Sequence, residues 1–246
     1  MKKLIYLCLA VLAFSCKKNE PEFVLPTYND WYVFQSPTDR PIEGVWGDID
    51  KTLLISTGIA VYRSVDRGKT WQEVVGNSRI GIFGIIKHQD TLFTMTGLSS
   101  VQKNAVVQHQ ALVNPDSYSL DDGRTWQPYK GYNAALDYHR LPEESRRRLF
   151  INPVSTSTRE SYTINMVYLD DSTKALRRFE TPGVMTATGR RIDLPQLHQL
   201  KSLYLDASER LYLAGTDAVC SNGQRFAFCN SQAGRGMVYV SKRPRP

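Results

Sequence analysis

The chain has 246 residues, 41% hydrophobic and 22% charged, which is enough apolar material for a sizeable core and excludes a disordered or collagen-like polymer. Thirteen Tyr, nine Phe and four Trp with few long helical patterns favour β-structure. The net charge of +7 is scattered rather than drawn into one basic stripe, which argues against a nucleic-acid partner.

In chain order, Lys2 and Lys3 precede an apolar run from Leu4 to Phe14. These are the charged and hydrophobic regions of an export signal. The run is shorter than the roughly 20 residues a membrane-spanning helix needs. It closes on Ala13-Phe14-Ser15-Cys16, which resembles a bacterial lipobox, with Phe14 bulkier than the usual pattern. The resemblance implies that residues 1–15 are a lipoprotein signal peptide that carries Cys8 away. The Cys16 thiol then takes a diacylglycerol group and becomes the new N-terminus. The competing reading is an ordinary signal peptide with a chance cysteine. Lys17, where an aspartate retains many lipoproteins at the inner membrane, implies by the same resemblance an outer-membrane address in the cell envelope. Residues 16–27, including Lys17-Lys18-Asn19-Glu20-Pro21-Glu22, read as a flexible tether, and 28–246 as one folded domain.

Within that domain Trp31-Tyr32-Val33-Phe34 is strand-like, and Asp39-Arg40-Pro41-Ile42 reads as a turn. Residues 52–57 and 59–64 are two strands split at Gly58. They lead into Ser64-Val65-Asp66-Arg67-Gly68-Lys69-Thr70-Trp71. Residues 82–86 and 91–95 flank a turn at His88-Gln89-Asp90. Segment 96–118 has little periodicity and reads as an inserted loop, either one that shapes a ligand face or a mobile loop with no partner. Then comes Ser119-Leu120-Asp121-Asp122-Gly123-Arg124-Thr125-Trp126. Both octapeptides fit Ser-x-Asp-x-Gly-x-Thr-Trp. In such a turn Asp66 and Asp121 accept hydrogen bonds from backbone N–H groups. Gly68 and Gly123 supply a left-handed backbone position. Thr70 and Thr125 start the outgoing strand, and Trp71 and Trp126 bury apolar surface beside the turn.

The repeated octapeptide resembles the Asp-box, or bacterial neuraminidase repeat, of sialidase-like β-propellers. The resemblance implies an all-β propeller whose boxes are hairpin turns on the blade periphery, structural rather than catalytic. At roughly 45 residues per blade the domain has room for four or five blades, with six as the crowded limit.

Beyond the second box, Leu141-Pro142-Glu143-Glu144-Ser145-Arg146-Arg147-Arg148 has Pro at an entry position, acids early and bases late. That pattern predicts one short helical turn on a loop. The arginine run there and the tail Lys242-Arg243-Pro244-Arg245 read as a solvated loop and a frayed end. Residues 162–169 with 175–179, and 202–206 with 210–215, read as hairpins. Met237–Ser241 is a further strand, and Trp31–Phe34 is placed to be the outer strand that closes the ring. Cys220 and Cys229 flank a short loop, and an oxidising compartment predicts a disulfide between them, against free thiols or a metal pair.

No metal or cofactor site is expected. His88, His109, His139 and His198 form no ligand-spaced pair and read as surface or loop residues. Asp39-Arg40-Pro41-Ile42 has the letters of the sialidase Arg-Ile-Pro motif in the wrong order, so no catalytic residue is assigned. The expectation is a monomeric, lipid-anchored, non-catalytic module that binds an envelope glycan or protein. The alternative is a sialidase-like glycoside hydrolase or lyase.

Overall fold

The computed structural model describes residues 25–103, 106–168, 179–221 and 227–245. Cys16, the signal segment and most of the tether lie outside them. The chain is all-β apart from single helical turns. Strand β1 (Trp31–Gln35) comes first. The first sheet then runs β2 (Gly44–Gly47), β3 (Leu53–Ser56), β4 (Val61–Ser64) and β5 (Gln72–Val75), antiparallel and in chain order. The second contains β6 (Gly84–His88), β7 (Thr91–Lys103) and β8 (Val106–Ser119). The far edge of β8 is shared between β9 (Gln127–Pro128) and β10 (Phe150–Asn152). The third runs β11 (Val154–Ser155), β12 (Ser161–Tyr168), β13 (Phe179–Thr186) and β14 (Arg191–His198). The fourth begins β15 (Leu200–Leu205), β16 (Leu211–Gly215), makes an excursion through the hairpin β17 (Val219–Ser221) and β18 (Ala227–Phe228), and resumes with β19 (Met237–Ser241).

β1 pairs with β19, from Trp31 opposite Ser241 to Gln35 opposite Met237, so the N-terminal strand completes the fourth sheet. Edge strand β2 packs on β6 and on β15, and β15 packs on β11 and β12 of the third sheet, which brings the inner edges of the sheets together about one axis. This is a β-propeller, with four sheets of blade type among the described residues.

β16 and β19 are buried along their whole length because both faces of their sheet are covered. Alternation sends Tyr212, Ala214, Val238 and Val240 into a core shared with the first sheet, including Val45, Leu53 and Ile55. Leu211, Leu213, Met237 and Tyr239 go the other way, to Tyr162, Ile164 and Val184 of the third sheet. Leu54, Val61, Ile82, Ile85 and Leu92 fill the seam between the first and second sheets. The fourth seam differs. Beside Phe93, Met95 and Leu112 of the second sheet lie Leu136, Tyr138 and Leu149, from the excursion between β9 and β10, and Ile151 of β10 itself. That excursion, not a second sheet face, fills the space next to the third sheet.

Three sequence expectations are corrected. Segment 96–118 is not a loop. It extends the β7–β8 hairpin, with Gly97 opposite Val113 and Ser99 opposite Ala111, because each strand satisfies the other's backbone groups. The hairpin after Tyr162 has a second strand that runs on past Phe179, which faces Tyr168, as far as Thr186 opposite Tyr162; residues 169–178 lie outside the described residues. The basic tail is folded back. Lys242 Nζ donates to Tyr28 O at 2.6 Å, and the Arg245 guanidinium lies 5.1 Å from the Trp31 ring centroid.

Polar contacts pin three of the seams at the hairpin turns. Arg63 Nε donates to Asp122 O at 3.1 Å, and Ser157 N donates to Glu209 Oε1 at 2.7 Å. The largest set centres on Arg210, whose side chain is 11% exposed. It donates to Asp206 at 2.8 Å in its own turn, and to Asp48 and Asp50 of the first sheet at 2.5 Å each. Tyr212 Oη donates to the same Asp206 at 2.9 Å and accepts from Ile49 N at 3.0 Å. Burial opposes the Arg210 charge, but its hydrogen bonds to Asp50 and Asp206 outweigh this and raise its pKa further. Replacing Arg210 with Met strands the buried Asp206 carboxylate. A loss of about 3 kcal/mol in urea unfolding is expected; a loss within about 0.5 kcal/mol, the range of an ordinary surface substitution, would show the network to be dispensable.

Candidate functional site

The two octapeptides have nearly superimposable hydrogen bonding. Ser64 Oγ donates to Asp66 Oδ1 at 2.8 Å and accepts from Gly68 N at 2.9 Å. Asp66 accepts from Thr70 N at 2.9 Å and from Thr70 Oγ1 at 2.6 Å. In the second, the distances are 2.8 and 2.9 Å around Ser119, and 2.9 and 2.8 Å from Asp121 to Thr125 N and Oγ1. Gly68 and Gly123 both have φ near +76°. They also serve close approach: a Cβ on Gly68 would lie 2.8 Å from Phe34, and one on Gly123 would lie 2.7 Å from Leu54. Each turn thus abuts the neighbouring sheet. Trp126 Nε1 donates to Gly123 O at 3.1 Å, whereas Trp71 packs on Phe34 with ring centroids 5.7 Å apart.

These carboxylates are committed to their own turns. Hydrogen bonds from Thr70 hold Asp66 at about 2, and those from Thr125 hold Asp121 at about 2. Both lie below the ordinary unfolded value of about 3.9. A depressed carboxylate stabilises the fold above its unfolded pKa and loses that contribution as pH falls through the folded one. Acid unfolding followed by circular dichroism between about pH 4 and pH 2 is therefore expected to shift to higher pH in Asp66→Asn and Asp121→Asn. An unchanged midpoint in both would contradict this role.

Other sequence-predicted residues fall as follows. Cys220 and Cys229 form a disulfide that closes the β17–β18 hairpin. Buried Asp217 braces its base, accepting from Ala218 N, Asn230 N and Ser231 Oγ at 2.7, 2.7 and 2.9 Å. Asp39 accepts from the backbone of Gln232, Ala233 and Arg235, tying the first turn to the segment before β19. His198 is not a surface residue. It lies buried at the end of β14, with Nδ1 donating to Thr216 O at 3.0 Å and Nε2 accepting from Tyr239 Oη at 2.8 Å. Burial pushes its pKa down, so the neutral ring is favoured. Among the described residues no group of three His, Cys, Asp or Glu is arranged to hold a metal ion.

Near the propeller axis lies a cavity of about 160 Å³, lined by Val45, Ile85, Leu112, Leu149, Ile151 and Leu203 among others, with Lys87 and Arg148 as its charged members. The larger arginine cluster lies elsewhere. A lateral cleft of about 710 Å³ opens at the seam between the second and third sheets, where the excursion replaces direct sheet packing. Its walls carry Arg146, Arg147, Arg148 and Arg159, with Glu143 as its acidic member. The helical turn α1 (Glu143–Arg146) and the 3₁₀ turn that follows it aim the three consecutive arginines. Arg159 stands in the β11–β12 turn with φ at 69°.

The aromatic lining is pre-organised. His109, on the extended part of β8, stacks on Phe150 with centroids 4.7 Å apart and rings 10° from parallel. His109 Nε2 is hydrogen-bonded to Tyr138 Oη at 2.8 Å, and the Arg146 guanidinium lies 5.1 Å from the Tyr138 ring centroid. Arg146 also donates to Leu141 O and His139 O, and Arg148 donates to Ala135 O, so both brace the excursion. Arg147 and Arg159 are exposed and form no ion pair among the described residues. The arrangement suits an anionic ligand that also presents a flat apolar face. The Arg146–Arg148 run was the sequence signal for this cleft. Nothing local told it from a solvated loop, because the rest of the cleft comes from β8, β10 and the turn holding Arg159.

No family model matches the chain. Over 99 residues, 39% of its length, the chain is 30% identical to Vacuolar protein sorting/targeting protein 10 of Komagataella phaffii; the match spans 6% of that protein. Among solved structures it is similar to YCF48 bound to D1 peptide, with a TM-score of 0.27 and 14% identity over 87% of this chain and 73% of that one. It is also similar to YCF48 from Cyanidioschyzon merolae, with a TM-score of 0.26 and 10% identity over 81% and 74%. Likeness this distant transfers no ligand to the present chain.

Proposed function

We propose that this chain is a lipid-anchored Asp-box propeller of the cell envelope, held at the outer membrane through Cys16. In this reading it acts as a non-catalytic module that binds a glycan or protein. The observation that carries the reading is the lateral cleft, where four arginines meet an aromatic lining. The cavity near the axis carries Lys87 and Arg148 but, among the described residues, no carboxylate on its lining, which supports binding over the glycosidase alternative, since that chemistry would call for a pair of carboxylates beside the substrate. The two octapeptides fit the same division of labour: they hold neighbouring sheets in place and leave the seam beside the excursion to meet the ligand.

Two measurements test the proposal. Cells producing the full chain and fed an alkyne-tagged fatty acid should label it and retain it in the membrane fraction, and Cys16→Ser should lose both; equal labelling of the variant would refute the anchor. For the cleft, anionic ligands from a panel of acidic and neutral glycans and peptides should bind more weakly as salt rises. Arg147→Glu and Arg159→Glu should each weaken that binding by about tenfold or more, the scale of one charge-assisted hydrogen bond. Binding confined to neutral ligands and indifferent to both substitutions would refute the site.

A further inference from the structure

The cleft's wall has a feature that narrows its ligand. Residues 150–155 run from β10 into β11 across a bend at Pro153, changing partners midway. Phe150 and Asn152 pair with Ala111 and Gln110 of β8 in the second sheet, while Val154 and Ser155 pair with Tyr162 and Ser161 of β12 in the third. Asn152 extends the bridge through its side chain, Oδ1 accepting from Ile164 N at 2.9 Å. The cleft lies where β8 and β12 diverge from this shared segment, with His109, Phe150, Ser155 and Ser161 all on its lining. Strand addition by an extended peptide needs an edge with free main-chain groups. Here the end strands β10 and β11 are only three and two residues long, and Pro153 between them has no N–H to donate, so the edge beside the cleft is too short and too interrupted for strand addition. What remains to the ligand is side-chain chemistry: aromatic faces, hydroxyls and guanidinium groups.

Resting on the proposed anion-binding role of this cleft, we infer that its ligand is an acidic saccharide bearing a carboxylate on the sugar ring, that is, a uronate-containing oligosaccharide. A pyranose ring offers an apolar C–H face, which packs on an aromatic ring as other flat apolar surfaces do. Half-buried Phe150 supplies that surface on the cleft lining, and its stack with His109, itself hydrogen-bonded to buried Tyr138, holds it in place before any ligand arrives. The equatorial hydroxyls of the same ring are matched by Ser155 and Ser161, both on the cleft lining. A carboxylate on that ring takes a planar guanidinium in paired hydrogen bonds. Arg147 and Arg159 meet that need, since neither spends its charge on a carboxylate of the described chain. A cleft of about 710 Å³ is roomier than one ring requires, so a short run of residues is the expected occupant.

Calorimetry on the full chain in detergent with three probes tests this: a galacturonate hexamer, the same hexamer as its neutral methyl ester, and a glutamate hexapeptide of equal charge. The galacturonate should bind, with the ester and the peptide each weaker by about 30-fold or more, the scale of a lost charge-assisted bond together with the ring contact. Arg147→Gln and Arg159→Gln should each cost about tenfold, and Phe150→Leu about fivefold. Because Phe150 also contacts the core, its variant counts only if its melting curve is unchanged; the two arginines are exposed and carry the test alone otherwise. If the glutamate peptide binds as well as galacturonate and depends on the same arginines, the saccharide inference is overturned while the anion-binding reading survives. Should the ester match the acid, the carboxylate requirement falls. If neither anionic probe binds at millimolar concentration, the uronate inference falls, and the wider panel decides whether the anion-binding reading falls too.

Discussion

The pairing of β1 with β19 joins residues near the two ends of the described chain, and much of the fold hangs on it. Such a contact carries the full entropic cost of a long closed loop, so it must be repaid by what it buries. Phe34 enters the core between the fourth and first sheets, and Trp31 the core between the fourth and third. Phe34 also meets Gly68 and Trp71, so the closing strand seals the first octapeptide turn as well as the last sheet. Trp31 stands edge-on to Tyr239 and receives Arg245 from the folded-back tail. Without β1 the apolar strand β19 would be an open edge, the element most exposed to wrong pairing.

Closure places unequal demands on the seams. Three are filled by facing sheets and pinned by polar contacts from their turns. The network around Arg210 is the most buried of these, and it links two carboxylates of the first sheet to one in the fourth. At the remaining seam the second sheet meets a folded excursion, and the third sheet is reached through the segment of residues 150–155. A seam filled this way leaves room at its outer end. The cleft therefore follows from how the ring is completed, and its charge follows from the arginines that happen to edge the excursion.

Much of this architecture was legible in the residues. Residues 237–240 and 211–215 are unbroken apolar runs, as expected for strands covered on both faces, and Trp31–Phe34 was placed correctly as the closing strand. β13 and β14 were not legible. Pro182, Gly183 and Pro195 interrupt the usual strand pattern, yet both strands form because pairing across the sheet supplies what local propensity does not. The polar stretch after Thr96 misled for the same reason: its strand character comes from the partner strand. His198 reads as one more isolated histidine until Tyr239 and Thr216 are brought to it from other strands.

By itself the sequence determined the all-β class, the two Ser-x-Asp-x-Gly-x-Thr-Trp turns and the pairing of Cys220 with Cys229. The reason is range. Within each octapeptide the bonds among Ser, Asp, Gly and Thr connect residues no more than four apart, so the motif carries its own geometry. Only the tertiary structure decided that Arg146, Arg147 and Arg148 share a cleft with Arg159, His109 and Phe150. Those side chains meet because two sheets diverge from one shared segment, a geometry written in long-range pairing and in no local pattern of residues.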